Sequence, residues 1–135
     1  MKILKVNDSN YEAAYNVLVQ LRKNLSLLDF KRMIQENVYD FYVYENGNEI
    51  IGVCGCRIME TITRGIHCHI HDLVIDENNR KKGLGKRLIL EMKEFALRNK
   101  CKWIFLDGID SALGFYHNIG FEKHGATLLK IKIIE

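Results

Sequence analysis

Ile70-His71-Asp72-Leu73-Val74-Ile75, then Asp76-Glu77-Asn78-Asn79, then Arg80-Lys81-Lys82-Gly83-Leu84-Gly85-Lys86-Arg87-Leu88 is the stretch around which the chain is organised. Leu73 to Ile75 is an apolar, partly β-branched run that reads as a strand. Asp76 and the two asparagines break it with turn chemistry, and an amphipathic pattern begins after Gly83. A strand that enters a helix through a basic, glycine-bearing loop is a place to hold phosphates. The first amides of a helix have no partner within it and carry roughly half a positive charge, so an anion there accepts hydrogen bonds in a favourable field. Gly83 and Gly85 lack the Cβ that would keep a diphosphate away from the backbone. Arg80, Lys81, Lys82, Lys86 and Arg87 gather positive charge at the same point.

The residues between the glycines separate the known anion loops. A nucleoside-triphosphate loop needs Ser or Thr after Gly-Lys to hold magnesium, and Arg87 follows Gly85-Lys86 here. A dinucleotide fingerprint needs a third small residue where this chain has Leu88. Arg-x-x-Gly-x-Gly after a strand remains, and by itself it also fits a solvated basic turn that caps a helix.

With 135 residues, 47% of them hydrophobic, the chain has the size of one domain over 1–135 with a core sufficient to fold unaided. A net charge of +3 is far from the excess of a dedicated nucleic-acid binder, and its densest cluster is the loop. The apolar run at Met1–Asp8 is too short for a signal peptide, and no segment reaches the length of a membrane span, so a cytoplasmic protein is expected. Cys54, Cys56, Cys68 and Cys101 lie in apolar surroundings without zinc-site spacing and read as reduced core residues.

Along the chain, Lys2–Val6 alternates as a first strand. Ser9-Asn10-Tyr11-Glu12 has capping-box spacing ahead of a helix over Asn10–Lys23, and Ser26-Leu27-Leu28-Asp29 caps a second helix ending near Asn37. Tyr39–Tyr44, a turn at Asn46-Gly47-Asn48, Glu49–Met59, a turn at Thr63-Arg64-Gly65 and Ile66–Ile75 form an antiparallel meander. Leu84, Leu88, Met92, Phe95 and Ala96 give the next helix its apolar face. Trp103-Ile104-Phe105-Leu106 then reads as a strand covered on both faces and parallel to the one before the helix. Ser111–Asn118 is a short helix broken at Gly120, and a last strand runs from Phe121 to Ile133.

Within that short helix, Ala112-Leu113-Gly114-Phe115-Tyr116-His117-Asn118-Ile119-Gly120-Phe121 carries Phe-Tyr, with Gly-Phe four residues after the tyrosine. Together with Arg80-Lys81-Lys82-Gly83-Leu84-Gly85 this resembles the GNAT superfamily of N-acyltransferases, and the resemblance covers essentially the whole chain. It implies an α/β (α+β) domain with a mixed sheet of about six strands, a splayed parallel pair and about four helices. It also implies that backbone N–H groups of Lys81, Lys82, Gly83, Leu84 and Gly85 bind the diphosphate of acetyl-CoA, with Arg80, Lys86 and Phe115 nearby. The pantetheine arm would pair with the backbone of Leu73, Val74 and Ile75 as an added strand would.

By the same resemblance the activity is transfer of an acetyl group to a primary amine of a small molecule by direct attack. Tyr116 is then the candidate acid for the departing thiolate, packing beside Phe115 being the other reading. His67, His69 and His71 alternate, so one strand face would carry all three, with Cys68, Ile70 and Asp72 on the other. His71 is the candidate base, and Asp72 could orient or bind the ammonium group. A metal would need a further converging ligand, and none is evident. The pattern His69-Ile70-His71-Asp72 is similar to the glucosamine-6-phosphate N-acetyltransferases of the superfamily, but His71 stands where those carry an acidic residue, so the amino sugar does not follow from it. A non-catalytic acyl-CoA-binding module is the alternative function, because a fold and a cofactor site do not guarantee chemistry. Nucleic acid and membrane are not expected partners, and a homodimer through the apolar Leu128–Ile134 segment is allowed.

Overall fold

The sheet is built from the meander outward. In the computed structural model, which describes residues 2–134, β1 (Lys2–Lys5) and the hairpin strands β2 (Asp40–Asn46), β3 (Glu49–Thr61) and β4 (Gly65–Ile75) pair antiparallel. Gly47 and Gly65 turn the two hairpins with φ of 63° and 66°, a region that side chains disfavour. β5 (Trp103–Leu106) joins β4 in parallel, as its position after a crossover helix requires, and the order is β1-β2-β3-β4-β5.

Alternation along the strands sorts the side chains into two layers. Val43, Val53 and Val74 pack against Ala14, Val17 and Leu18 of α1 (Tyr11–Leu18) and Phe30 of α2 (Leu27–Gln35). On the other face Tyr44, Cys54, Cys56, Cys68 and Ile70 meet Leu88, Ile89, Met92 and Ala96 of α3 (Leu84–Arg98). A single turn of 3₁₀ helix at Asp110–Ala112 leads into α4 (Leu113–Ile119), which ends at Gly120 with φ of 112°. Among the described residues no helix is long and apolar enough to cross a membrane.

Several expectations are corrected. The helix expected over Asn10–Lys23 ends at Leu18 and continues as turns, with Arg22 N donating to Leu18 O. Its start is held by Asn7, whose Oδ1 accepts from Ser9 N and Asn10 N, rather than by a Ser9 box. Ser26 caps α2 as its spacing predicts, accepting from Asp29 N at 3.1 Å. β5 is parallel, yet Trp103 is 53% exposed, because the strand ends the sheet and an apolar run cannot reveal that only one edge has a neighbour.

The last strand does not form, and among the described residues the sheet has five strands and not about six. Residues 122–134 carry neither helix nor strand, and Leu128, Leu129, Ile131, Ile133 and Ile134 are all about four-fifths exposed. An alternating apolar segment becomes a strand only when its backbone finds a ladder, and no partner follows from the pattern alone.

Phe30 is fully buried and meets Phe41 edge-on at 4.9 Å, tying α2 to the sheet. Phe30→Ala is expected to cost about 3–5 kcal/mol in urea denaturation through transfer and cavity losses.

Candidate active site

The site is the place where β4 and β5 part. Their parallel ladder runs from His67 opposite Trp103 to Ile70 opposite Leu106 and stops. β4 continues to Ile75 on its β3 side, so among the described residues no strand covers the other edge of His71–Ile75.

The break coincides with a bulge. Gly55 pairs with Asp72 and Cys56 with Ile70, leaving His71 as the extra residue of β4. An extra residue flips the side-chain parity downstream of it. His69 and His71 stack at 4.7 Å on the α1–α2 face as the alternation predicts, and Cys68 and Ile70 face α3. Asp72, expected beside Cys68 and Ile70, joins the histidine side instead, while Leu73 and Ile75 turn to the α3 core and Val74 to the α1–α2 core.

Asp72 is 4% exposed and both of its carboxylate oxygens are taken. Oδ1 accepts from Arg22 Nε at 2.6 Å and Oδ2 from the Tyr39 hydroxyl. The same Arg22 guanidinium donates through Nη2 to the His71 carbonyl at 2.8 Å. Burial, then the Asp72 carboxylate, pushes the Tyr39 phenol well above its ordinary value, which keeps it a donor. Opposite them, a Cβ on Gly55 would lie 2.5 Å from Asp72 Oδ2 and 2.8 Å from the Tyr39 ring. No pattern pointed to Arg22 or Tyr39. Gly55 within a strand carried the usual signal of close approach, with nothing to say what approaches.

The loop after β4 is shaped by left-handed residues. Lys81 has φ of 66° and Gly83, at the N-cap of α3, 73°; the first helical bond runs from Arg87 N to Gly83 O, so the amides ahead of it have no helical acceptor. A Cβ on Gly83 would meet nothing within 4 Å, so that approach is open. Arg80 folds back to donate to Ile75 O at 3.1 Å. Gln20 steadies the entrance, donating to Asp76 Oδ1 at 2.7 Å and accepting from Glu77 N at 2.9 Å. Phe115 lies against Gly85, where a Cβ would come within 3.1 Å of its ring. The structure thus brings Phe115 to the loop although α4 lies far along the chain.

At the end of β5, Tyr116 packs on Phe115 at 5.2 Å and on Phe121 at 5.7 Å, beside Gly108. Burial raises its phenol pKa, so it keeps its proton at neutral pH. His67 and His69 face Phe105 of β5, and His69 Nε2 lies 4.0 Å from Asp107 Oδ2. Among the described residues no group of three or more His, Cys, Asp and Glu is placed to hold a metal. Cys54, Cys56 and Cys68 are buried and free; hydrogen bonding with Cys54, then burial, pushes the Cys56 thiol up, and hydrogen bonding with Cys56, then burial, pushes the Cys68 thiol up, so both stay protonated.

Burial, and next the charge of neighbouring His71, hold the His69 imidazole below its ordinary value. The fold therefore prefers neutral His69, and its stability is full above the unfolded pKa of about 6.5 and declines as pH falls through that value towards the lower folded one. Thermal unfolding from about pH 7.5 to about pH 5.5 should show a falling Tm, and His69→Gln should flatten that fall.

The Acetyltransferase (GNAT) family model matches residues 7–121. A glucosamine 6-phosphate N-acetyltransferase of Trypanosoma brucei brucei is 33% identical over 85 residues, 62% of this chain and 58% of that protein, so the chain spans less than two thirds of that relative's length. The crystal structure of a GNAT family acetyltransferase of Staphylococcus aureus superposes with a TM-score of 0.79 at 25% identity, covering 98% of this chain and 100% of that one. An aminoglycoside N-acetyltransferase in complex with CoA superposes at 0.81 with 14% identity over 97% and 93% of the two chains, a likeness of fold alone. With the parted strands, the glycine loop and the Phe115-Tyr116 helix in one place and the family model spanning residues 7 to 121, the chain belongs to the acetyltransferase (GNAT) family.

Proposed function

We propose that the protein is an acetyl-CoA-dependent N-acetyltransferase acting on a primary amine of a small molecule. One observation carries the reading: beyond Ile70 β4 has no β5 partner, so its edge from His71 to Ile75 is covered by no strand among the described residues and is met by this chain only at its two ends, where Arg22 holds the His71 carbonyl and Arg80 the Ile75 carbonyl. The loop fits a diphosphate, because Gly83 leaves its face open and the amides up to Lys86 precede the first helical bond. Arg80 and Lys86 add charge, and Phe115 closes over Gly85.

Acetyl-CoA, when bound, supplies an activated acyl carbon and a thiolate leaving group. Leu73, Val74 and Ile75 hold the arm by strand-like pairing, and a backbone N–H of the parted segment polarises the thioester carbonyl. His71, exposed at the bulge, takes a proton from the incoming amine. As the new C–N bond forms and the C–S bond breaks, Tyr116 gives its proton to the sulfur and recovers one through solvent. Asp72 is buried and held by Arg22 on one oxygen and Tyr39 on the other, so its part is to orient the strand.

The acceptor reading with specific support is glucosamine 6-phosphate, the substrate in the name of the Trypanosoma brucei brucei relative. His71 in place of the acidic residue of that pattern leaves other amines in the screen. Four free cysteines suit a reducing compartment, so we place the reaction in the cytoplasm. The exposed aliphatic segment 128–134 supports a homodimer that covers it.

Purified protein screened against amines and amino sugars should release CoA only when an acceptor is present; binding without release would favour an acyl-CoA-binding module. Gly85→Val should drive its side chain into Phe115 and abolish CoA binding by calorimetry with the Tm nearly kept. Tyr116→Phe should lower kcat by about 100-fold or more with acetyl-CoA affinity unchanged, and equal turnover would remove its acid role.

A further inference from the structure

We propose that Arg22, Tyr39 and Asp72 are positioning residues for acyl transfer: they form a clasp that fixes the bulge at His71, and with it the bare β4 backbone that polarises the thioester carbonyl. The proposal rests on the acetyltransferase reading above and adds to it a control point outside the cofactor loop.

The clasp acts on the residue of β4 that the β3–β4 register leaves out. Between Ile70 and Asp72 the β3–β4 register skips His71, so the ladder that fixes the rest of β4 does not fix this point. Arg22 bridges it, with Nη2 on the His71 carbonyl at 2.8 Å and Nε on Asp72 Oδ1 at 2.6 Å. One rigid planar fork thereby sets the distance between a backbone carbonyl and the next side chain, which the point charge of a lysine cannot do. The Tyr39 hydroxyl takes the other carboxylate oxygen, and Gly55 leaves the space for it.

These partners come from separate parts of the fold. Arg22 follows the last turn of α1, Tyr39 directly precedes β2, and Gly55 lies within β3. Burying a carboxylate to pair it is a poor way to gain stability, since well-packed apolar groups of similar volume often serve as well or better. A buried pair does fix geometry. The carbonyl that Arg22 grips lies one residue beyond the last β4–β5 pair, so any slack in the clasp is felt first where the two strands part.

The test uses acetyl-CoA labelled with ¹³C at the thioester carbonyl, bound to the full chain and read by isotope-edited infrared spectroscopy. In the wild type the bound carbonyl stretch should fall below that of free acetyl-CoA. Arg22→Lys, which keeps the charge and loses the fork, and Tyr39→Phe, which removes one oxygen and keeps the ring beside Phe41, should each return it towards the free value. Acetyl-CoA affinity, set at the loop around Gly83, should stay unchanged in both. A wild-type shift retained in both variants overturns the clasp, as does a wild-type complex with no shift. Failure of the wild type to bind acetyl-CoA would overturn the underlying acetyltransferase reading instead. Should Arg22→Lys fail to fold, Tyr39→Phe alone decides, because its packing is unaltered.

Discussion

Everything at the site follows from one strand having two partners of unequal length. β4 is paired with β3 from Gly65 to Ile75 but with β5 only from His67 to Ile70. Backbone polar groups left without a ladder must find water, a side chain or a ligand, so an unpaired edge inside an otherwise continuous sheet is a demand as well as an opening. The chain meets part of that demand itself, through Arg80 on the Ile75 carbonyl and Arg22 on the His71 carbonyl. The remaining edge lies between the glycine loop and α4.

The bulge at His71 does more than loosen the ladder. By adding one residue it turns Leu73 and Ile75 towards α3 and sends Asp72 and Val74 to the α1–α2 side. The two cores are thereby stitched to β4 on both sides of the break. Asp72 is put within reach of Arg22 and Tyr39, which join the strand to the segment after α1 and to the start of β2. The histidines keep their common face, and the burial of His69, then the charge of His71 beside it, favour its neutral form.

Much of this was legible. The β-branched and aromatic runs with Gly47 and Gly65 between them gave the meander, and the apolar stripe from Leu84 to Ala96 gave α3, because alternation and helical spacing are local properties. Excluding Ser or Thr after Lys86 and a small residue at Leu88 narrowed the loop to one kind of anion site. The Phe115-Tyr116 pair then placed the chain in its family. Less legible were covering and pairing. Trp103 and Leu128–Ile134 are apolar enough for a core and are exposed, since hydrophobicity records a preference while a neighbour must be supplied by another part of the chain.

The order of elements as far as α4, the glycine loop and the face shared by His67, His69 and His71 were determined by the sequence by itself, because each depends on residues a few positions apart. Where β4 leaves β5, which way Asp72 faces and what holds it were decided only by the tertiary structure. A single extra residue reverses parity without any mark in the pattern. An arginine fifty positions away can satisfy a buried carboxylate only once the fold has brought the two together.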